Sequence, residues 1–362
     1  MAILCRDHLI LAENRGYIAF NDRLDYSAFS LDMRLEKLYK RKALGVSQNE
    51  ELEMSQETFM DEIIEEIPID SEFILEPDQD YFWQPVEEIF LRQGLKGKIT
   101  TRSSWARLGI RVQSESDEYL KKVDKNTLGK PLCTIRTTGT RVKLKKLDAV
   151  AQLFIEKNTG HPTREHIISF LEQGSLVLKE GGEKGKQLRL EDIEFHGGPV
   201  LTMDPQVFVY NGEILIPGED NKNKFERVQL SYLKDFYLPP DTFFISSSHE
   251  YVQVPSFCVG IVTERNSLFS NDSFKKTGHS AYLPPQFASH PNAPYIGPVG
   301  VFEGQVTFEN QVTEPTKIIA GMKQSELLLD FLSGQITNVE EFGKSRYDKQ
   351  NGATTSRSHE KR

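Results

Sequence analysis

The sequence has few cysteines and no long hydrophobic run. Its three cysteines, Cys5, Cys133 and Cys258, lie far apart and form no C-x-x-C pair, so neither a disulfide framework nor a zinc site is predicted. The opening MAILCRDHLI reaches charged residues after five positions, which is too early for a signal peptide, and no run approaches the roughly 18 apolar residues of a membrane span. We therefore expect a soluble, cytoplasmic protein that does not act at a membrane.

A surplus of positive charge is also missing. The chain carries 44 lysines and arginines against 53 aspartates and glutamates, for a formal charge of -9. Such a balance is unfavourable for binding the phosphate backbone of nucleic acids or an anionic membrane surface. We expect no nucleic-acid partner, and any anionic ligand must be held by a local group of donors.

The chain resembles itself at a nearly constant spacing. RDHLILAENRGYI from Arg6 matches REHIISFLEQGSLVL from Arg164, which lies 158 residues later. FILEPDQDYF from Phe73 matches FYLPPDTFFI from Phe236, which lies 163 residues later. Two such matches indicate two copies of one domain. The predicted units are a first domain (1–160), a second domain (161–343) and a C-terminal tail (344–362).

Each copy begins with an amphipathic stretch and continues with short strand-like segments. DHLILAEN and EHIISFLEQ have apolar residues at helical spacing and stop at Gly16 and Gly174, which predicts one short helix per copy. Most later segments are β-branched or aromatic and bounded by glycine or proline, as in a barrel or sandwich. PQVFVYNGEILI predicts a hairpin turning at Asn211-Gly212. The predicted fold class is mainly β.

A segment rich in glutamate, residues 45–70, interrupts the first copy. It carries methionine and isoleucine at irregular helical spacing. We interpret it as a solvated, partly helical excursion.

A cluster of donors stands out in ITTRSSWARLG. Arg102, Ser103, Ser104 and Arg107, hereafter the Arg-Ser-Ser element, lie within six positions. Either serine is a good N-cap for a short helical turn, which would place Ser103 and Arg107 on one face. Backbone N–H groups, hydroxyls and guanidinium groups pointing the same way suit a phosphate or a developing negative charge. The alternative is an ordinary capped turn with surface arginines.

The string RSSWARLG resembles the dCTP deaminase branch of the trimeric dUTPase superfamily. Three further stretches fit: RDHLILAENRGYI with FSLDMRL, GQVTFEN (Gly304 to Asn310), and SRYDKQNGATTSR, residues 345–357. The resemblance implies two tandem dUTPase-like β-barrel domains of jelly-roll type. It also implies a pocket between adjacent domains, with the Arg-Ser-Ser element on one side and a glutamate strand on the other. The segment 278–305 is longer than in the compact family, so it adds no expected base-recognition residue.

The two copies have lost complementary parts of that pocket. The first copy keeps the Arg-Ser-Ser element, but its strand at 131–139 has no glutamate. The second copy keeps Glu309, but has Asn266 and Ser270 at the positions of the first serine and the second arginine. One complete site per chain is therefore expected, built within one chain or between neighbours.

The resemblance implies hydrolytic deamination of dCTP to dUTP and ammonia, a step in pyrimidine deoxynucleotide metabolism. Glu309 would be the acid/base that activates water, Ser103 would hold that water and Arg107 would keep the carboxylate oriented. Arg102 and Ser104 would engage the phosphates or the domain interface. The alternative for Glu309 is an ordinary carboxylate at the rim of a strand.

No catalytic metal is expected. Zinc deaminases use H-x-E with a later P-C-x-x-C, and neither string occurs in the chain. Magnesium is expected only as the partner of the triphosphate. By resemblance the tail closes over the nucleotide, with Arg346, Tyr347 and Gln350 touching phosphates and sugar. A simple mobile terminus is the alternative.

Three functional alternatives remain open from the sequence. A bifunctional enzyme would also cleave the triphosphate to give dUMP, a plain dUTPase would only do the latter, and a nucleotide-binding regulator would do neither. The expected ligands are dCTP and dUTP, with dTTP considered as an inhibitor. Rings of three domains predict a homo-oligomer, either a homotrimer with six domains or a dimer.

Overall fold

The structure is a computed structural model in which β-strands dominate. It describes residues 2–20, 30–42, 56–69, 72–77, 79–92, 94–113, 130–157, 161–264, 287–290, 295–296, 303–312, 314–334 and 353–356. The helices are α1 (Arg6–Asn14), α2 (Gln56–Glu62), α3 (Ser103–Ala106) and α4 (Arg164–Glu172). The predicted mainly-β class is confirmed.

The strands divide between the two halves of the chain. The first half contains β1 (Ala2–Ile3), β2 (Ile18–Phe20), β3 (Leu31–Arg41), β4 (Ile64–Ile67), β5 (Phe73–Leu75), β6 (Tyr81–Pro85), β7 (Ile89–Leu91), β8 (Leu95–Thr101), β9 (Ile110–Gln113), β10 (Cys133–Thr137), β11 (Val142–Leu144) and β12 (Ala149–Lys157). The second half contains β13 (Val177–Glu180), β14 (Val200–Thr202), β15 (Gln206–Tyr210), β16 (Phe225–Gln229), β17 (Phe236–Leu238), β18 (Thr242–Gln253), β19 (Cys258–Glu264), β20 (Phe287–His290), β21 (Tyr295–Ile296), β22 (Glu303–Val312), β23 (Thr316–Ile318) and β24 (Lys323–Leu332).

The two predicted helices form at corresponding places, as α1 and α4. Both are followed by a glycine in the left-handed region, Gly16 at φ +67° and Gly174 at φ +69°, where a side chain would be strained. Thr163 caps α4 through its side chain, which accepts from the backbone of His166. Glycine stops therefore end both helices at the positions that the sequence predicts.

The halves share one pattern of strand pairing. The matched antiparallel pairs are β2–β7 with β13–β18, β3–β4 with β15–β16, β3–β6 with β15–β18, β5–β11 with β17–β23, β6–β10 with β18–β22, and β8–β12 with β19–β24. The same order of elements along the chain accompanies this match. The domain boundaries stay a prediction; β12 ends at Lys157 and α4 begins at Arg164.

A two-residue strand joins the halves into one sheet. β1 pairs antiparallel with β12 of the first half and parallel with β24 of the second. The joined sheet has 12 strands. Cys5 continues the connection, since its backbone N–H donates to the Ser333 hydroxyl at 3.1 Å. The N-terminal segment therefore belongs to both halves.

The largest hydrophobic cluster crosses from one half to the other. It contains first-half side chains such as Trp83 and Leu108 together with Phe225, Phe243 and Ile245 of the second half. Two smaller clusters lie within the second half, around Phe308 and around Phe244. Burial of large apolar side chains is the main stabilising term in folding, so each half depends on the other for part of its core.

The predicted hairpin at Asn211-Gly212 is wrong in its pairing partner. β15 does pair antiparallel, but with β16 rather than with the residues that follow the turn. Those residues leave the sheet, and the Leu215 backbone pairs with β11 of the first half, accepting from Lys143 N–H at 3.0 Å and donating to Arg141 C=O at 2.8 Å. Contact with the other half therefore replaces the local hairpin.

The acidic segment is helical in part, as expected, but it is not wholly solvated. α2 lies within it and is followed by Ile63 and Ile64, which are both buried. Among the described residues, no helix is both long and apolar enough to cross a membrane.

We predict that Gly109→Ala destabilises the chain far more than Gly212→Ala. Both glycines have positive φ, +82° and +96°, so each alanine has a backbone cost of about 1–2 kcal/mol. A Cβ at Gly109 would also overlap the Thr140 side chain, 2.8 Å from its methyl carbon, whereas nothing lies within 4 Å at Gly212. Overlap adds about 1–3 kcal/mol. Urea unfolding measures both losses, and equal losses would contradict the assigned contact.

Candidate functional site

The Arg-Ser-Ser element sits where β8 ends. Arg102 leaves the strand with an extended backbone, and its carbonyl accepts from the N–H groups of Trp105 and Ala106, each at 2.9 Å. The N-cap is therefore Arg102, and the prediction of a serine N-cap is wrong because both serines already lie inside α3. The predicted shared face of Ser103 and Arg107 is present, since Arg107 N–H donates to the Ser103 carbonyl at 3.2 Å.

A cavity of about 450 Å³ opens beside the element. Arg102 and Ser104 line one wall, Lys143 and Lys145 of the first half line another, and the loop 216–219 of the second half completes it. This volume lies in the range of small-molecule sites. The cavity therefore combines residues of both halves and has cationic and hydroxyl groups in its wall.

Carboxylates balance the cations of this cavity. Arg102 pairs with Asp32 at 3.2 Å and Lys143 with Glu72 at 2.8 Å. Burial raises the pKa of the Asp148 carboxyl, and the backbone N–H and charge of Lys145 oppose part of that rise. An incoming anion would compete with these carboxylates for the cations.

Arg107 is buried, with 4% of its surface exposed, and contacts the C-terminal tail. Its Nη1 donates to the Thr354 carbonyl at 3.0 Å and to the Thr354 hydroxyl. The described tail residues, 353–356, pack closely here: Ala353 joins the large hydrophobic cluster, and Ser356 is fully buried. The structure therefore brings the end of the chain to the Arg-Ser-Ser element.

Glu309 lies on β22, on the face that the second half turns toward the first. It is directly opposite Ile245 of β18, and opposed residues of antiparallel strands share a face. Ile245 belongs to the same hydrophobic cluster as Leu108, the residue after Arg107. The Arg-Ser-Ser element and Glu309 thus border one packed region. Glu309 is buried there, with 5% exposed.

The loop 138–140 connects the two sides of this region. The hydroxyls of Thr138 and Thr140 donate to the carbonyls of Gly109 and Leu108, at 2.9 and 2.7 Å. Between them, Gly139 approaches the second half so closely that a Cβ there would lie 3.7 Å from Nε2 of Gln311. The first half's motif and the second half's glutamate strand are therefore held through three successive residues.

Strand pairing identifies the residue that replaces the glutamate in the first half. Thr134 is opposite Phe82 on β6, as Glu309 is opposite Ile245 on β18. Phe82 and Ile245 correspond, since they lie 163 residues apart like the matched strands β5 and β17. Thr134, which is buried, therefore occupies the position of Glu309. The predicted substitutions Asn266 and Ser270, and the tail residues Arg346, Tyr347 and Gln350, lie outside the described residues.

Sequence reasoning missed several groups at this site. Thr354 lies within the tail string that was recognised, but nothing in the string indicated its contact with Arg107. Arg141, Lys143 and Lys145 alternate along TRVKLKK, and a period of two places them on one side of a strand. That alternation was a usable signal for the cationic wall of the cavity.

Comparison with known proteins agrees with the resemblance. The dCTP deaminase-like family model matches residues 6–158. These residues contain α1, the Arg-Ser-Ser element and all first-half strands from β2 to β11. A search of curated protein sequences gives no match.

The fold likeness extends over both halves. The chain is similar to the crystal structure of 2'-deoxycytidine 5'-triphosphate deaminase from Agrobacterium tumefaciens, with a TM-score of 0.66 and 17% identity, over 93% of this chain and 99% of that one. The architecture is thus the dUTPase-like β fold. The first half belongs to the dCTP deaminase-like family, and the family predicted from RSSWARLG is confirmed.

We predict that Thr354 and Arg107 are energetically coupled. Replacing Thr354 by Val removes an acceptor of a charged hydrogen bond, which costs about 1.5–3 kcal/mol. Thr354→Ser keeps the hydroxyl and should restore most of that loss. In the Arg107→Ala background, Thr354→Val should cost much less. Urea unfolding of the four variants gives the coupling free energy; a value near zero would show that the contact does not stabilise the tail.

Proposed function

We propose that the protein hydrolytically deaminates dCTP to dUTP and ammonia, without a catalytic metal. One observation carries the proposal. The Arg-Ser-Ser element of the first half and Glu309 of the second border the same packed region, while the equivalent strand position in the first half is Thr134. A chain that keeps each catalytic part once, and keeps both parts at one interface, is consistent with one working site per chain.

The reaction needs an activated water and a proton for the departing amine. In the proposed mechanism the Glu309 carboxylate takes a proton from water, and the water oxygen forms a bond to C4 of cytosine. Glu309 then returns the proton to the amino group, the C4–N bond breaks, and ammonia leaves. Ser103 positions the water, and the guanidinium of Arg107 keeps the carboxylate oriented and charged.

The cavity is proposed to take the triphosphate. Arg102 and Ser104 line it, and the nearby lysines, Lys143 and Lys145, add positive charge that can offset that of the phosphates. Magnesium would arrive with the triphosphate as its counter-ion. The tail contact at Arg107 supports a closing role for the C-terminal segment, in which Arg346, Tyr347 and Gln350 contact phosphates and sugar. The homo-oligomer, a trimer or a dimer, also stays a prediction.

Product analysis tests the proposed reaction. The protein, freed of transition metals by chelation, is incubated with dCTP and magnesium, and the nucleotides are separated by chromatography. We expect dUTP and ammonia in equal amounts. Formation of dUMP and pyrophosphate would make the enzyme bifunctional. Unchanged dCTP, together with binding of dCTP, would replace the proposal with a nucleotide-binding regulator.

We predict that Glu309→Gln abolishes turnover and preserves dCTP binding. The amide keeps the shape of the carboxylate but cannot accept a proton, so kcat should fall at least about 100-fold, the usual contribution of a general base. The Kd for dCTP, measured by calorimetry, should change only a few-fold.

Glu303→Gln is the matched control for that variant. Glu303 lies on the same strand and pairs with Gln253, six positions from Glu309. Its kcat should stay near that of the parent. Equal losses in the two variants, or a parallel loss of binding and turnover in Glu309→Gln, would assign Glu309 a structural role.

A further inference from the structure

One sheet face of the second half is covered by the first half. Phe208 of β15 is directly opposite Ile245 of β18, and Tyr210 is opposite Phe225 of β16. These four residues share one face, because opposed residues and alternate residues of a strand point the same way. Phe225 and Ile245 belong to the large cluster of the first half, and Phe208 and Tyr210 pack against it.

The first half has the same face, but a different element covers it. Tyr39 of β3 is opposite Phe82 of β6, and two positions further along Arg41 is opposite Ile64 of β4. Strand pairing makes these positions equivalent to Phe208, Ile245, Tyr210 and Phe225 of the second half. Tyr39, Phe82 and Ile64 form a separate buried cluster with Ile63, against which Met60 also packs.

The covering residues come from the acidic segment. Met60 lies on α2 and Ile63 directly follows it. Gln84 on β6 donates to the Met60 sulfur at 3.5 Å, and Lys42 N–H donates to the Ile63 carbonyl at 2.8 Å. Tyr39 and Phe82 keep only 5% and 1% of their surface exposed. The segment therefore seals its own half's sheet.

The equivalent loops behave in opposite ways. In the second half the loop between β15 and β16 reaches outward, where Leu215 pairs with β11 of the first half. In the first half the longer loop between β3 and β4, residues 42–63, folds back as α2. The counterpart of β11 in the second half is β23, whose described pairing is with β17 alone. A neighbouring domain could use β23 as β11 is used.

We propose that residues 42–63 form a cap that occupies a docking face for a second copy of this chain. Without the cap, the face around Tyr39 and Phe82 would receive the β23 edge of another copy, as the face around Ile245 receives the first half within one chain. Such head-to-tail contacts use two different surfaces and continue into rings or filaments. Because the capped strand carries Thr134 in place of a glutamate, docking there would complete no further copy of the proposed site.

Removal of the cap tests this proposal. Arg41 and Ile64 are directly opposed, so replacing residues 42–63 by Asn-Gly joins β3 and β4 through a two-residue hairpin turn. Light scattering after gel filtration should show a mass that rises at least two-fold over the parent as concentration increases. Adding Tyr39→Lys to the deletion should return the mass to that of the parent.

Two controls separate the cap from charge and from misfolding. The full-length variant with Glu50, Glu51 and Glu53 changed to Gln loses acidic charge but keeps Met60 and Ile63, and should keep the parent mass. Met60→Ala with Ile63→Ala loosens the cap without deleting it and should give weaker, concentration-dependent association. Circular dichroism identifies any variant that fails to fold, in which case the double alanine variant decides.

Amide hydrogen exchange identifies the docked edge. In the associated deletion variant, exchange at residues 314–320 should slow relative to the parent, because the free edge of β23 becomes paired. A parent-like mass for both the deletion and the double alanine variant would overturn the proposal. Association that Tyr39→Lys does not reverse, or that leaves residues 314–320 unprotected, would overturn it as well.

Discussion

Phe225, Phe243 and Ile245 leave their own half and complete the hydrophobic cluster of the other. Nearly every feature of the candidate site depends on that packing. It turns the face of β22 with Glu309 toward the first half, and it brings the loop 138–140 against Gln311. Because interiors are close-packed and deform little, the positions of the catalytic candidates are fixed by apolar contacts rather than by the polar groups themselves.

The two halves have diverged in a coordinated way. One interface between them keeps a full set of donors and a carboxylate, and the other equivalent face carries Thr134 and lies under α2. A binding surface that no longer completes a site gains nothing from remaining open, and exposed apolar faces favour unwanted association. Loss of the glutamate and growth of the loop between β3 and β4 thus fit a single history of specialisation.

The sequence predicted the features that local patterns control. Helices α1 and α4 follow apolar periodicity and stop at Gly16 and Gly174, and the strands carry β-branched and aromatic residues between turns. The Arg-Ser-Ser element and the family also follow from a short string. The features that failed depend on distant partners: Leu215 abandons a hairpin for β11, and Thr354 meets Arg107, 247 residues away. Local propensity contains no information on such contacts.

The pairing of β1 with both β12 and β24 has a consequence for synthesis. During translation β12 is available early, but β24 and the tail at Thr354 leave the ribosome last. One edge of β1 and the buried guanidinium of Arg107 therefore wait for the end of the chain, which gives this protein contacts of very high sequence separation and a slow final step. A nascent chain acquires its assembled site only at termination, so incomplete translation products carry half-formed cores and are natural clients for chaperones.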